Sequence, residues 1–289
     1  MTDLHVPRSL PAAHRSAGQA SAAVLATALL LHLLGGETSQ ALHLAVFRAI
    51  NATGAWAPEL WSGLSVLGLG LSALIVFALA APPASNRASQ AGTRLLAALL
   101  ACFPIGGALT HGIKNLVQMA RPAAALGLDQ LVVVGTPLLS KSMPSGHAVT
   151  AFTVATLISL DRRLPRPWRL AVWTLCVAVA ISRIAVGAHW PADVCAGGAL
   201  GVLVGHAGWW CAQRGRWVAH LMSPIGSAVL ALGLLACSVV MWGLPTGYPL
   251  ALPGQRVLGA IGAGVALWRL AGLWRVQRGR RGRAQPEAS

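Results

Sequence analysis

Ser182 to Asp193 reads Ser-Arg-Ile-Ala-Val-Gly-Ala-His-Trp-Pro-Ala-Asp. An arginine, a histidine and a carboxylate stand there, in or beside an otherwise apolar run. Ionisable groups at membrane depth are costly and are functional candidates by default. His189 and Asp193 are four apart, with Pro191 between them. Proline suits the first helical turn, where its missing N–H is not needed. A helix beginning near Trp190 puts Asp193 in its first turn, close to His189. A carboxylate beside an imidazole fixes its tautomer and raises its basicity. Arg183 offers a planar fork that suits an anion. The chemistry expected of this stretch is a basic nucleophile beside an anion site.

Two further motifs carry chemistry. Lys114-x6-Arg121-Pro122 closes an apolar run. Seven residues is about two helical turns, which predicts both cations on one face. Pro122 disfavours helix at Arg121 and marks the exit. Taken alone, the pair also reads as interfacial snorkelling. Pro144-Ser145-Gly146-His147 opens the next apolar run. A helix N-terminus has free N–H groups and a positive dipole end, so it suits phosphate. Ser145 adds a hydroxyl, and Gly146 lets the backbone approach closely. Of the seven acids, only Asp193 lies within these motifs. No carboxylate cluster exists for a two-metal centre, so neither metal nor other cofactor is expected. His32, His43, His111, His206 and His220 read as structural or interfacial, His111 being nearest the motifs. The cysteines 102, 176, 195, 211 and 237 lack C-x-x-C spacing and read as buried small hydrophobes.

The elements that position these groups are membrane helices. The chain is 55% hydrophobic and only 10% charged, and its mean hydropathy is +0.64. Soluble domains carry about a quarter charged residues, so a polytopic membrane protein follows. Apolar runs predict about eight spans, at 20–34, 60–81, 94–113, 147–160, 170–187, 193–212, 226–243 and 256–274. The first reads either as a retained helix or as a signal peptide cleaved near Ala41. Residues 36–58 predict a short interfacial helix. The formal charge is +15, from 22 basic and 7 acidic residues. Four Phe and one Tyr leave few stacking platforms, so nucleic acid is not the expected partner.

Fifteen of the 22 basic residues fall on one side when the spans alternate from a cytoplasmic N-terminus. They lie at 8 and 15, at 87 and 94, four in 161–169, at 214 and 216, and five in 275–283. The positive-inside rule makes that side cytoplasmic. It puts 114–146 and His189 on the outer side, and it leaves Arg269 to snorkel inward. Residues 1–19 and 275–289 are then cytoplasmic segments, and localisation is the plasma (inner) membrane.

The ordered set Lys-x6-Arg-Pro, Pro-Ser-Gly-His and Ser-Arg-x5-His-x3-Asp resembles the signature of the type 2 phosphatidic acid phosphatase (PAP2) superfamily. The resemblance covers about 114–193 and every signature position. It implies an all-α, polytopic helical bundle with a six-helix core, here 20–225, from which the two additional helices in 226–274 depart. It also favours the retained helix at 20–34. It implies roles by position. His189 takes the phosphoryl group as a phosphohistidine. Asp193 orients it, and His147 is the general acid and base. Lys114, Arg121, Ser145, Gly146 and Arg183 bind the phosphate. The activity implied is metal-independent hydrolysis of a membrane lipid phosphate, such as undecaprenyl diphosphate, phosphatidate, phosphatidylglycerol phosphate or a lipid A type. A lipid-to-lipid phosphotransferase on the same scaffold, or an anion transporter without catalysis, are the alternatives.

Overall fold

The computed structural model describes residues 19–24, 26–27, 37–79, 87–161 and 163–283. Among them every regular element is helical. The helices are α1 (Glu37–Ala52), α2 (Pro58–Leu67), α3 (Gly70–Leu79), α4 (Arg87–Val117) and the short α5 (Pro122–Leu126). They continue as α6 (Gly146–Asp161), α7 (Arg166–Ala185), α8 (Pro191–Arg214), the short α9 (Trp217–Leu221), α10 (Pro224–Gly243) and α11 (Leu252–Arg283). Prolines open α2, α5, α8 and α10, where a missing N–H costs nothing.

Five stretches are long and apolar enough to cross a membrane: Ala91–Leu126, Arg166–Ala185, Pro191–Arg214, Pro224–Gly243 and Pro249–Arg275. A sixth exists if α2 and α3, bent by 70° at their break, count as one. The eight-span expectation is therefore met only in part. The run 147–160 is helical, but at 16 residues it rises only about 24 Å, short of a hydrocarbon core of about 30 Å. Residues 25 and 28–34 of the first expected span lie outside the described residues.

The short α6 lies at the centre, packed against α4, α7 and α8. Such a helix is enclosed by protein and need not match the bilayer in length. Its partners approach closely because α8 carries Gly197, Gly201 and Gly205 at four-residue spacing. A Cβ at Gly197 would strike the Ser145 carbonyl; at Gly201, the Val149 carbonyl; at Gly205, the Thr156 side chain. Small residues at this spacing allow close backbone approach in membranes. The ridge sets the N-termini of α6 and α8 side by side, and Ser145 N–H donates to the Asp193 carbonyl at 2.9 Å.

Helices α10 and α11 form a hairpin that docks on the bent pair through Val66, Ile75, Ala78, Leu234, Met241, Val265 and Ala266. Arg269 corrects one expectation. It does not snorkel: it is buried, and Nη2 donates to the Ala78 carbonyl at 3.2 Å. The last turn of α3 has carbonyls without helical donors, so an acceptor is available within the protein.

Candidate active site

Helix α8 begins at Pro191 after an extended Trp190, as the Pro-x-Asp spacing predicts. Asp193 stands in its first turn and reaches back to the Trp190 N–H at 2.8 Å, as acids at N3 do. The same oxygen, Oδ2, accepts from the Ser142 hydroxyl and lies 3.3 Å from His189 Nδ1. His189 follows the end of α7, and the Arg183 carbonyl accepts the amides of Ala188 and His189, each at 3.0 Å. The loop is thereby wound back on α7.

These contacts assign the tautomer. Arg121 Nη1 lies 3.1 Å from His189 Nε2. Arginine has no acceptor, so Nε2 must present its lone pair, and the proton sits on Nδ1 facing Asp193. Burial, and then the charges of Arg121, Arg183 and Lys114, hold His189 well below the usual histidine range. The imidazole is therefore neutral, with Nε2 basic and aimed at the cations. That is the arrangement a nucleophilic histidine needs.

The cations are held by carbonyls, not by carboxylates. Lys114 Nζ donates to the carbonyls of Lys141 and Ser142. Arg121 Nε donates to Ser140 O at 2.8 Å, and Nη1 to Ala188 O at 2.8 Å. The expected shared helix face is not what brings the two together. Helix α4 stops at Val117, and Gln118 adopts a left-handed conformation with φ 45°. Arg121 is extended ahead of Pro122. A turn places the second cation, because the residue before proline is pushed out of helical backbone.

Arg183 is 2% exposed and the largest side chain so deeply buried. Its Nη1 donates to the Tyr248 hydroxyl at 2.7 Å. Its Nε, Ser145 Oγ and Asp193 Oδ1 are buried polar atoms without partners among the described residues. Such orphans are rare in folded proteins, and three of the seven among the described residues fall on motif residues. The side chain of His147, in the first turn of α6, makes no hydrogen bond among the described residues. A Cβ at Gly68 would collide with it, so the break between α2 and α3 makes room for its ring. His147 and Arg183 share a cavity of about 260 Å³ with Ser65, Thr136 and Tyr248. Gly146 begins α6, whose first-turn amides have no intrahelical acceptor. All eight residues expected at the site thus belong to one end of the bundle. His111 instead lines a separate groove of about 210 Å³ with Thr110 and Gly146. Among the described residues no group of three or more His, Cys, Asp or Glu could hold a metal ion.

Several supporting residues escape sequence reasoning. Ser142 is fully buried and donates to Asp193. Asn51 ties three segments together: it donates to Val132 O at 2.8 Å and Ala185 O at 3.1 Å, and accepts from Val132 N–H at 2.8 Å. His43 accepts the Ala192 N–H at 3.1 Å, at the start of α8. The four-residue glycine spacing of α8 was a readable signal for the packing that joins the motifs.

Residues 93–217 match the model of the PAP2 superfamily. A lipid A 1-phosphatase of Porphyromonas gingivalis is 44% identical over 113 residues, covering 39% of this chain and 23% of that protein. A decaprenylphosphoryl-5-phosphoribose phosphatase of Mycobacterium tuberculosis is 38% identical over 96 residues, covering 32% of this chain and 48% of that protein. The matches thus span less than half the length of these curated relatives. The crystal structure of Aquifex aeolicus LpxE is similar over 58% of this chain and 94% of its own, with 25% identity and a TM-score of 0.47.

Proposed function

We propose, from the match of residues 93–217 to the model of the PAP2 superfamily, that this chain is a membrane lipid phosphatase working through a phosphohistidine. The observation that carries the reading is the neutral His189, with Nδ1–H on Asp193 and Nε2 turned to Arg121. In the first step Nε2 attacks phosphorus and the bond to the leaving oxygen breaks. His147 gives that oxygen its proton. In the second step water attacks phosphorus, His147 takes its proton, the P–N bond breaks and inorganic phosphate departs. Arg121 must leave Nε2 as the phosphate arrives, and it then serves the phosphate oxygens with Lys114, Arg183, Ser145 and the Gly146 amide. Clustered cations favour the charge spread over equatorial oxygens in such transfers. The dianion also offsets these cations, which favours the imidazolium His147 needs as an acid.

Relatives named for lipid A and for a decaprenylphosphoryl sugar phosphate support a lipid phosphate substrate. Candidates are undecaprenyl diphosphate, phosphatidate, phosphatidylglycerol phosphate and lipid A phosphates. The reading includes a core over 20–225, an appended hairpin over 226–274, an outward-facing site and no metal. Its test is phosphate release from that panel in mixed micelles, with acid-labile phosphate on acid-quenched protein. Wild type should release phosphate and carry label. His189→Ala should lose both, and Asp193→Asn should keep a small residue, by analogy with losses of about 10⁴-fold for an orienting acid. Near-full turnover in His189→Ala rejects the reading.

A further inference from the structure

The C-terminal hairpin lies beyond the PAP2 match, yet its turn enters the site. Tyr248, the only tyrosine in the chain, stands on that turn with its hydroxyl 2.7 Å from Arg183 Nη1. Its ring also lies 5.5 Å from the guanidinium carbon, within cation–π reach. The turn is held firmly. Thr136 N–H donates to the Gly247 carbonyl at 2.9 Å. Gly135 faces that carbonyl at φ +87°, where any side chain would strike it. Gln255, buried in α11, donates to Met241 O and Leu244 O, each at 2.7 Å, and pairs with Thr246 Oγ1 at 3.0 Å. The ring itself packs with Val134, Val186 and Ala188, beside His189.

A buried arginine normally has a carboxylate partner. Arg183 has none within ion-pair reach among the described residues. A carboxylate there would orient the guanidinium but neutralise it. A phenol orients it and leaves its charge for an anion. We propose that Tyr248 is a positioning residue for Arg183, holding the far side of the guanidinium so that its remaining donors face the phosphate. The two added helices thereby complete the phosphate site instead of merely accompanying it. This rests on the phosphatase reading above.

The test is a double-mutant cycle in the full chain, read as kcat/KM on a lipid phosphate and as inhibition by orthovanadate. Tyr248→Phe keeps the ring and removes only the acceptor. Losing a hydrogen bond to a charged group should lower kcat/KM roughly tenfold and weaken vanadate by a similar factor, at unchanged melting temperature. In an Arg183→Ala background the same change should cost less than about twofold, since the group it positions is gone. In a Lys114→Ala background it should cost the full factor again. Equal losses in both backgrounds, or an unaffected Tyr248→Phe, overturn the assignment. A wild type that binds vanadate but releases phosphate from no lipid defeats the lipid reading alone, and vanadate binding then decides the role of Tyr248. A wild type that does neither defeats both.

Discussion

At the scale of residues the site is a charge arrangement built around one neutral ring. Burial and three cations oppose protonation of His189. Its titration therefore lies below the usual value of about 6.5, and the neutral form persists as pH falls through that value. Removing a cation reverses part of the effect. Arg121 is the leading charge cause, so Arg121→Ala should move the titration upward. Histidine side-chain NMR of the protein in micelles, assigned with His189→Ala, would read both. We expect a neutral His189 at pH 6.5 and a higher midpoint in Arg121→Ala. A half-protonated ring at that pH in the wild type, or an unmoved midpoint, contradicts the account. The motif residues were legible because their partners are near in sequence: His189 and Asp193 share one turn. Ser142, Tyr248 and Asn51 were not, since they meet their partners across 51, 65 and 81 residues. No local pattern encodes such meetings.

At the scale of elements the site depends on how closely α6 can approach α8. Gly201 lies midway along that contact, where an added Cβ would press on the Val149 carbonyl and the Phe152 and Thr153 atoms beside it. Backbone cannot rotate aside as a long side chain can. Gly201→Val should therefore cost about 1–3 kcal/mol, as overpacking usually does, and separate Ser145 and His147 from Asp193. Activity should fall further than stability, because phosphoryl transfer depends on placement. Melting temperature and kcat/KM measured together on Gly201→Val and on the exposed control Gly233→Ala would show it. A fully active Gly201→Val would mean the close approach is dispensable. The helices themselves were largely readable: α7, α8, α10 and α11 lie where apolar runs predicted them. The span count was less so, because a helix enclosed by protein, such as α6, can be apolar without being long enough to cross. The relation of Lys114 to Arg121 was misread for a related reason. Spacing reports a shared face only while the helix continues, and α4 ends between them.

At the scale of the whole molecule the fold sorts positive charge by end. The site end comprises the C-termini of α4 and α7, the N-termini of α6 and α8, and the turn from α10 to α11. The other end holds the turn from α6 to α7, the exit of α8 and the end of α11. Arg163, Arg166, Arg169, Arg214, Arg216 and Arg275 lie at that far end or next to it. The cations at the site end are mostly committed: Lys114, Arg121 and Arg183 to the site, and Lys141 to Asn115 Oδ1 at 2.8 Å. They would break a rule about free loop charge only if they were free. The positive-inside bias supports the proposal that the far end faces the cytoplasm and the site faces outward. Alkaline phosphatase, which matures only outside the cytoplasm, should be active when inserted at Gly135 and inactive at Arg166. A fluorescent cytoplasmic reporter should give the opposite pattern. The bias acts through several arginines in a short loop, so replacing Arg163, Arg166 and Arg169 together should weaken it, whereas any one change should not. Reversed signals would put the site on the cytoplasmic face and require a substrate presented from the inner leaflet, and equal signals would mean that the two ends do not lie on opposite sides.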